Sequence, residues 1–302
     1  MGKVHKSVTV FRHSFLAGSM MVELKEEVEE VDGTMSSYTQ FNEKGHIIKE
    51  ISYSSDEKPE QMTTYKYNDA DQLIEEILFD EENEVAERKT YEYDEKGRML
   101  KKFIHYADDT FDTMHYKYNE DGLLTNKHVV DADGIEENKH VYEYEKTNLI
   151  RFAEYDNEGT LLKEETWKYD EKGNEIEMTK WDKEDDRLIN TLVDYYENGD
   201  RQKVRVFNQE NELVEKTLFE EDEKGILLKI IEEDPYNLNT TEFVYDEREN
   251  LIEQTELSRD GEVKSRVTRA YNEDNEMVET VIFIDRHGAG VNQHYKMKYV
   301  FE

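Results

Sequence analysis

The chain of 302 residues has no cysteine, only two prolines, and no run of about eighteen apolar residues. Without cysteine, disulfide frameworks, thiolate metal sites and a cysteine nucleophile are excluded. Without the apolar run, a helical membrane span is excluded. Positive charge is scarce as well: 39 Lys and Arg stand against 74 Asp and Glu, a formal net charge of −35. The bulk of such a surface repels nucleic acid and anionic lipid. Length alone allows one or two domains.

Aromatics, in contrast, are abundant, with 20 Tyr, 12 Phe and 2 Trp. A chain this polar would ordinarily stay unfolded, because it buries too little to offset chain entropy. Disordered chains are poor in aromatics, however, and here the aromatics are placed periodically, as in a folded repeat array. The segments YEYDEKG (91–97), YKYNEDG (116–122) and WKYDEKG (167–173) carry the pattern most clearly. Taking the second aromatic as anchor gives Phe41, Tyr67, Tyr93, Tyr118, Tyr144, Tyr169 and Tyr195, then Glu221 in a degenerate copy, then Tyr245, Tyr271 and Tyr299. Most steps are 25 or 26 residues. The first aromatic of each pair is Tyr65, Tyr91, Tyr116, Tyr142, Trp167 or Phe243.

A weaker turn signal lies midway, as in FDEEN (79–83), VDADG (130–134), YDNEG (155–159) and IDRHG (284–288). The elementary unit is therefore about 13 residues. Asp or Asn opens a turn by bonding its own backbone, and Gly or Asn closes it in a left-handed conformation. The closing glycines are Gly45, Gly97, Gly122, Gly134, Gly159, Gly173, Gly199, Gly225, Gly261 and Gly288; Asn83, Asn148, Asn211 and Asn275 take the same slot. Between turns lie one strand's worth of residues, alternating as in Tyr91-Glu92-Tyr93. The expected fold is all-β: an antiparallel meander of roughly 20 strands built from 25–26-residue hairpins. Strand twist should coil it into a superhelix or roll it into a partly closed sheet. Doublets such as Leu73-Ile74, Met99-Leu100 and Leu227-Leu228 follow the turns and supply apolar residues to both faces.

The stretch YEYDEKGRML (91–100) resembles the YD repeat of Rhs-type proteins, Y-x-Y-D-x-x-G-R-L. The resemblance covers about residues 36–302 and implies an array of β-hairpins that spirals into a shell. This chain departs from the family in its longer unit and in the Arg after the turn glycine, which occurs only at Arg98; His46, Leu123, Asn174, Asp200 or Ile226 stands elsewhere. A weaker similarity is to MORN-like and antitoxin-type acidic hairpin proteins.

Residues 1–22 hold Lys3, Lys6 and Arg12 and no acid, leaving 36 basic and 74 acidic groups in residues 23–302. The expected organisation is a basic N-terminal arm or degenerate first hairpin over 1–22, with Phe15 and Met21 near the anchor positions, and a single acidic hairpin array over 23–302. No convincing signal peptide is present, so a cytoplasmic location is expected; a bacterial protein is what the resemblance to Rhs-type repeats implies. The final YKMKYVFE reads as a strand at a sheet edge.

No catalytic signature is present: there is no G-x-S-x-G, P-loop or H-E-x-x-H, and HGAG (287–290) precedes no helix. The expectation is no enzyme activity and no cofactor. Centring the register on the turns places His115 opposite Asn126, His128 opposite Glu137 and His140 opposite Thr125, so no two histidines pair and no metal site forms. The turns DADG (131–134), NEDG (119–122) and DNEG (156–159) offer oxygen ligands for calcium but lack its loop spacings. The tyrosine ladder reads as cross-strand packing. The function class is a non-enzymatic interaction scaffold with a basic protein partner, such as a toxin covered by an immunity or antitoxin-type protein. The alternatives are a structural subunit self-associating through edge strands and a carbohydrate-binding surface protein. No direct nucleic-acid binding and no membrane span are expected.

Overall fold

The computed structural model describes residues 5–14, 33–285 and 293–302. All regular structure in them is strand. The strands are β1 (Ser7–Ser14), β2 (Thr34–Phe41), β3 (Ile47–Tyr53), β4 (Pro59–Tyr67), β5 (Leu73–Phe79), β6 (Val85–Tyr93), β7 (Met99–His105) and β8 (Phe111–Tyr118). They continue with β9 (Leu124–Val130), β10 (Glu136–Glu145), β11 (Asn148–Tyr155), β12 (Leu161–Tyr169), β13 (Glu175–Asp182), β14 (Arg187–Tyr195) and β15 (Arg201–Phe207). The last are β16 (Leu213–Glu221), β17 (Leu227–Glu233), β18 (Leu238–Tyr245), β19 (Leu251–Leu257), β20 (Val263–Tyr271), β21 (Met277–Ile284) and β22 (Gln293–Phe301).

Each strand pairs antiparallel with its sequence neighbours, and β1 pairs with both β2 and β22, so the 22-stranded sheet is a closed barrel. This corrects the expected superhelical or partly closed sheet. The C-terminal strand is not an edge, because Phe301 pairs with Val8 and Tyr295 with Ser14. The N-terminal segment is the element that closes the ring. Lys6 N donates to Glu302 O at 2.6 Å, Phe41 N donates to Lys6 O at 2.9 Å, and the Arg12 guanidinium sits 4.2 Å from the Tyr295 ring centre. Lys3, Phe15, Met21, Gly288 and the HGAG segment lie outside the described residues.

Following the residue pairs once round the ring returns to β1 displaced by about 22 residues, one per strand. A shear equal to strand number tilts strands by about 36° and gives a diameter of roughly 40 Å. Short strands around so wide a ring cannot pack a central core. Among the described residues only Ala153 and Val193 are buried hydrophobics, and most strand residues are half-buried on both faces. Among the described residues, side-chain hydrogen bonds and ion pairs between strands link adjacent or next-but-one strands, for example Arg88 to Glu75 and Lys264 to Asn239. Stability is therefore local, hairpin against hairpin, as in a repeat array.

The turns explain the register. In the turn after β6, Gly97 N donates to Asp94 O at 2.9 Å, and Asp94 N donates to Arg98 O at 2.8 Å. Gly97 has φ +81°, and the ladder shifts between Glu92 and Tyr93: a type I turn closed by a left-handed residue and a bulge. Asp94 Oδ1 accepts from the amides of Lys96 and Arg98. Asn148 does not fill the closing slot. It opens β11, and Lys146, at φ +56°, turns the chain instead.

Candidate interaction surface

The two rows of turns form the two rims of the barrel. One rim carries the turns that follow the tyrosine anchors; the other carries the half-unit turns. On both rims the opening Asp or Asn is spent on the turn itself. Asp131 Oδ1 accepts from the amides of Asp133 and Ile135, and Asp156 Oδ1 from those of Glu158 and Thr160. Donation from the amide four residues on, together with other hydrogen bonds, holds the Asp94, Asp156, Asp170 and Asp222 carboxyls below the usual carboxylate range. These carboxylates face inward to their own backbone, which weakens the calcium reading of the turns. Among the described residues no group of three potential metal ligands gathers.

The half-unit rim is the more acidic. Six consecutive turns there, at 54–57, 80–83, 106–109, 131–134, 156–159 and 183–186, hold fourteen Asp and Glu and one Lys. Large apolar side chains stand exposed between them: Val85, Tyr106, Phe111, Ile135 and Leu188, of which Val85 and Ile135 are more than half exposed. Tyr106 opens a turn, and the others sit within two residues of one. A cavity of about 260 Å³ opens on the same rim, lined by Glu136, Glu137, Lys139, Tyr155, Asp156, Asn157 and Gly159.

The tyrosine anchors have a structural task. Tyr67 Oη donates to Ile47 O, Tyr93 to Leu73 O, Tyr118 to Met99 O, Tyr144 to Leu124 O, Tyr169 to Leu149 O and Tyr195 to Glu175 O, at 2.7 to 2.9 Å. Tyr271 does the same to Leu251 O at 3.2 Å. Each anchor thus ties its hairpin to the start of the returning strand of the hairpin before, at its first residue or, for Leu149, its second. Phe41 has no hydroxyl to give, and Tyr299 Oη lies 3.5 Å from Thr280 Oγ1. Where Glu221 replaces the anchor, Tyr196 Oη donates to Phe219 O at 2.7 Å, a substitute that the repeat pattern did not flag. The first aromatics Tyr65, Tyr91, Tyr116, Tyr142, Trp167 and Phe243 and the anchor Tyr245 are half-buried on the same face of the sheet.

The histidine register differs from expectation. His115 and His128 are directly paired, their rings stacked at 4.8 Å with planes 8° apart. The bulge between Lys117 and Tyr118 shifts the ladder away from the turn-centred count, and that shift was not legible in the turn sequence. Burial, then the neighbouring His128 and lysines, depress the His115 pKa. Lys101 and Lys139 flank the pair on the adjoining strands, a poor setting for a cation.

No family model matches the chain, and no curated protein matches it. Among solved structures, similarity is found to "Crystal Structure of TcdB2-TccC3 without hypervariable C-terminal region", with 10% identity over 86% of this chain and 19% of that one, at a TM-score of 0.33. The Tc holotoxin pore of Photorhabdus luminescens gives 10% identity over 89% of this chain and 20% of that one, at 0.26. A porin-like protein from Bacteroides uniformis gives 13% identity over 100% and 99%, at 0.32. The chain spans about a fifth of the length of the two toxin structures.

Proposed function

We propose that the protein is a non-enzymatic binding scaffold, a YD-repeat-type hairpin array whose half-unit rim receives a basic protein partner. The observation that carries this reading is the coincidence of fourteen turn carboxylates with exposed Val85, Tyr106, Phe111 and Ile135 on one rim. Exposed apolar side chains within a ring of one charge sign suit a partner that presents apolar residues flanked by Lys and Arg. An immunity or antitoxin-type role, covering a basic toxin, is the specific form of this reading. The pairing of β1 with β22 occupies the edges that self-assembly through terminal strands would need. Mid-strand charges on both faces, including Glu75 on one and Glu76 on the other, oppose a lipid-facing band on this barrel.

The test is capture of partners from the native host at low and raised salt, with three baits. Wild type should retain a basic protein that salt releases. Asp108→Lys with Asp109→Lys, and separately Phe111→Ser with Ile135→Ser, should each lose it. Retention by both variants, or capture of an acidic protein that salt strengthens, would overturn the reading.

A further inference from the structure

One position on the tyrosine face changes chemistry along the ring. In successive repeats it is Glu50, Glu76, Lys102, Lys127 and Phe152. Glu76 pairs across strands with Tyr65, Lys102 with Tyr91, Lys127 with Tyr116, and Phe152 with Tyr142. In the first two repeats the next tyrosine reaches back to the carboxylate: Tyr65 Oη donates to Glu50 at 2.5 Å, and Tyr91 Oη donates to Glu76 at 3.0 Å. Lys89 adds a bond to Glu76 at 3.2 Å.

In the next two repeats the acceptor is gone, because an ammonium only donates. Tyr116 Oη turns instead to Met114 Sδ at 2.8 Å, a weak acceptor. Tyr142 Oη has no hydrogen-bond partner among the described residues, and neither Lys102 nor Lys127 has a carboxylate within ion-pair distance there. Both lysines are half-buried, and β7 and β9 contain no acid at all, in a chain with 74 of them. Burial, then repulsion from Lys89 and Lys127, draws the Lys102 pKa down even though Glu76 and Glu87 pull the other way. Two lysines and two tyrosines lie here on four neighbouring strands, and the carboxylate that serves their counterparts is missing.

We propose that Lys102, Lys127, Tyr116 and Tyr142 form a binding site for a multivalent oxyanion, carboxylate or phosphate, whose oxygens take the place of the Glu50 and Glu76 carboxylates of the preceding repeats. On the strand between them Lys102 pairs with Met114 and Lys127 with Tyr116, which by strand spacing and rise puts the two lysines about 12 Å apart. A ligand with two or more anionic groups bridges them, and a single small anion satisfies only one. The site lies on the strands, away from the acidic rim, and takes a ligand of opposite charge to the partner proposed for that rim.

The test is calorimetric titration of the full chain with inorganic triphosphate and with citrate, at constant ionic strength. Saturable binding of either supports the site, and the stronger of the two assigns phosphate or carboxylate chemistry. Lys102→Glu with Lys127→Glu gives these repeats the carboxylate of the earlier ones. This variant should fold, melt above wild type, and lose about tenfold or more in affinity. Lys102→Met with Lys127→Met should lose the same binding without the added acceptors, and Tyr116→Phe should weaken it. Absence of saturable binding by both probes at millimolar concentration, or unchanged affinity in the Lys→Met variant, would overturn the proposal.

Discussion

At the scale of single residues, the turn is the unit of design. Its closing position takes a left-handed backbone, and besides glycine it is filled by Glu57, Asp71, Asn83, Asp109, Asn211, Glu249 and Asn275, with φ between 59° and 66°. Side chains other than Gly and Asn pay for that conformation in steric energy. Glu249→Gly should therefore stabilise the protein by about 1 kcal/mol, and Gly134→Ala should destabilise it by a similar amount. At Gly134, φ is +82° and a Cβ would meet nothing within 4 Å, so the alanine isolates backbone strain from crowding. Urea denaturation checks both; equal stability of all three proteins would refute the assignment.

The opening aspartates give a pH prediction at the same scale. Asp94, Asp156, Asp170 and Asp222 have carboxyl pKa values below their unfolded ones, because turn amides bond the ionised form. A depressed folded value means that the contribution is complete above the unfolded pKa, near 4, and is lost as pH falls through the folded values. Melting temperature should accordingly drop from pH 5 towards pH 2. Asn fills the same slot at Asn119, whose Oδ1 accepts from Leu123 N at 2.8 Å. Replacing the four aspartates with Asn should therefore preserve the fold and flatten the acid limb.

At the scale of the hairpin, the anchor tyrosines join neighbours by hydroxyl as well as by ring. Tyr93→Phe removes the 2.7 Å bond to Leu73 O and should cost about 1 kcal/mol. Tyr93→Ala removes the half-buried ring too and should cost about 2 to 3 kcal/mol. Glu92 points to the opposite face and is exposed, so Glu92→Ala should cost a few tenths of a kcal/mol. Equal costs for Tyr93→Ala and Glu92→Ala in chemical denaturation would overturn the assignment of faces. The tyrosine ladder was legible from the spacing of Tyr-x-Tyr. Its carbonyl targets were not, because they depend on how one hairpin is offset against the next.

At the scale of the whole molecule, closure removes the edges that an open sheet would present. Deleting residues 1–14 should expose β2 and β22 and produce concentration-dependent association in light scattering. A deletion variant that stays monomeric with an unchanged melting temperature would show that the β1 seam is dispensable. The net charge of −35 sits on a ring with little buried core, so self-repulsion opposes compactness. Melting temperature should rise with salt as screening shortens to about 8 Å at physiological ionic strength. The complex with a basic partner should weaken over the same range.

The sequence by itself determined the hairpin: its period, its turns, its alternating faces and strand as the only regular structure of the described residues. These follow from interactions within about thirteen residues, and Asp, Gly and Tyr at fixed offsets specify them. The tertiary structure decided the rest. Closure depends on a drift of about one residue per strand, summed around 22 strands, which no single repeat contains. The stacking of His115 on His128 depends on a bulge that shifts the pairing register. The replacement of two carboxylates by Lys102 and Lys127 is visible as letters. Only the cross-strand pairing shows that Tyr116 and Tyr142 were left without their usual acceptor, because the groups that meet there come from different hairpins.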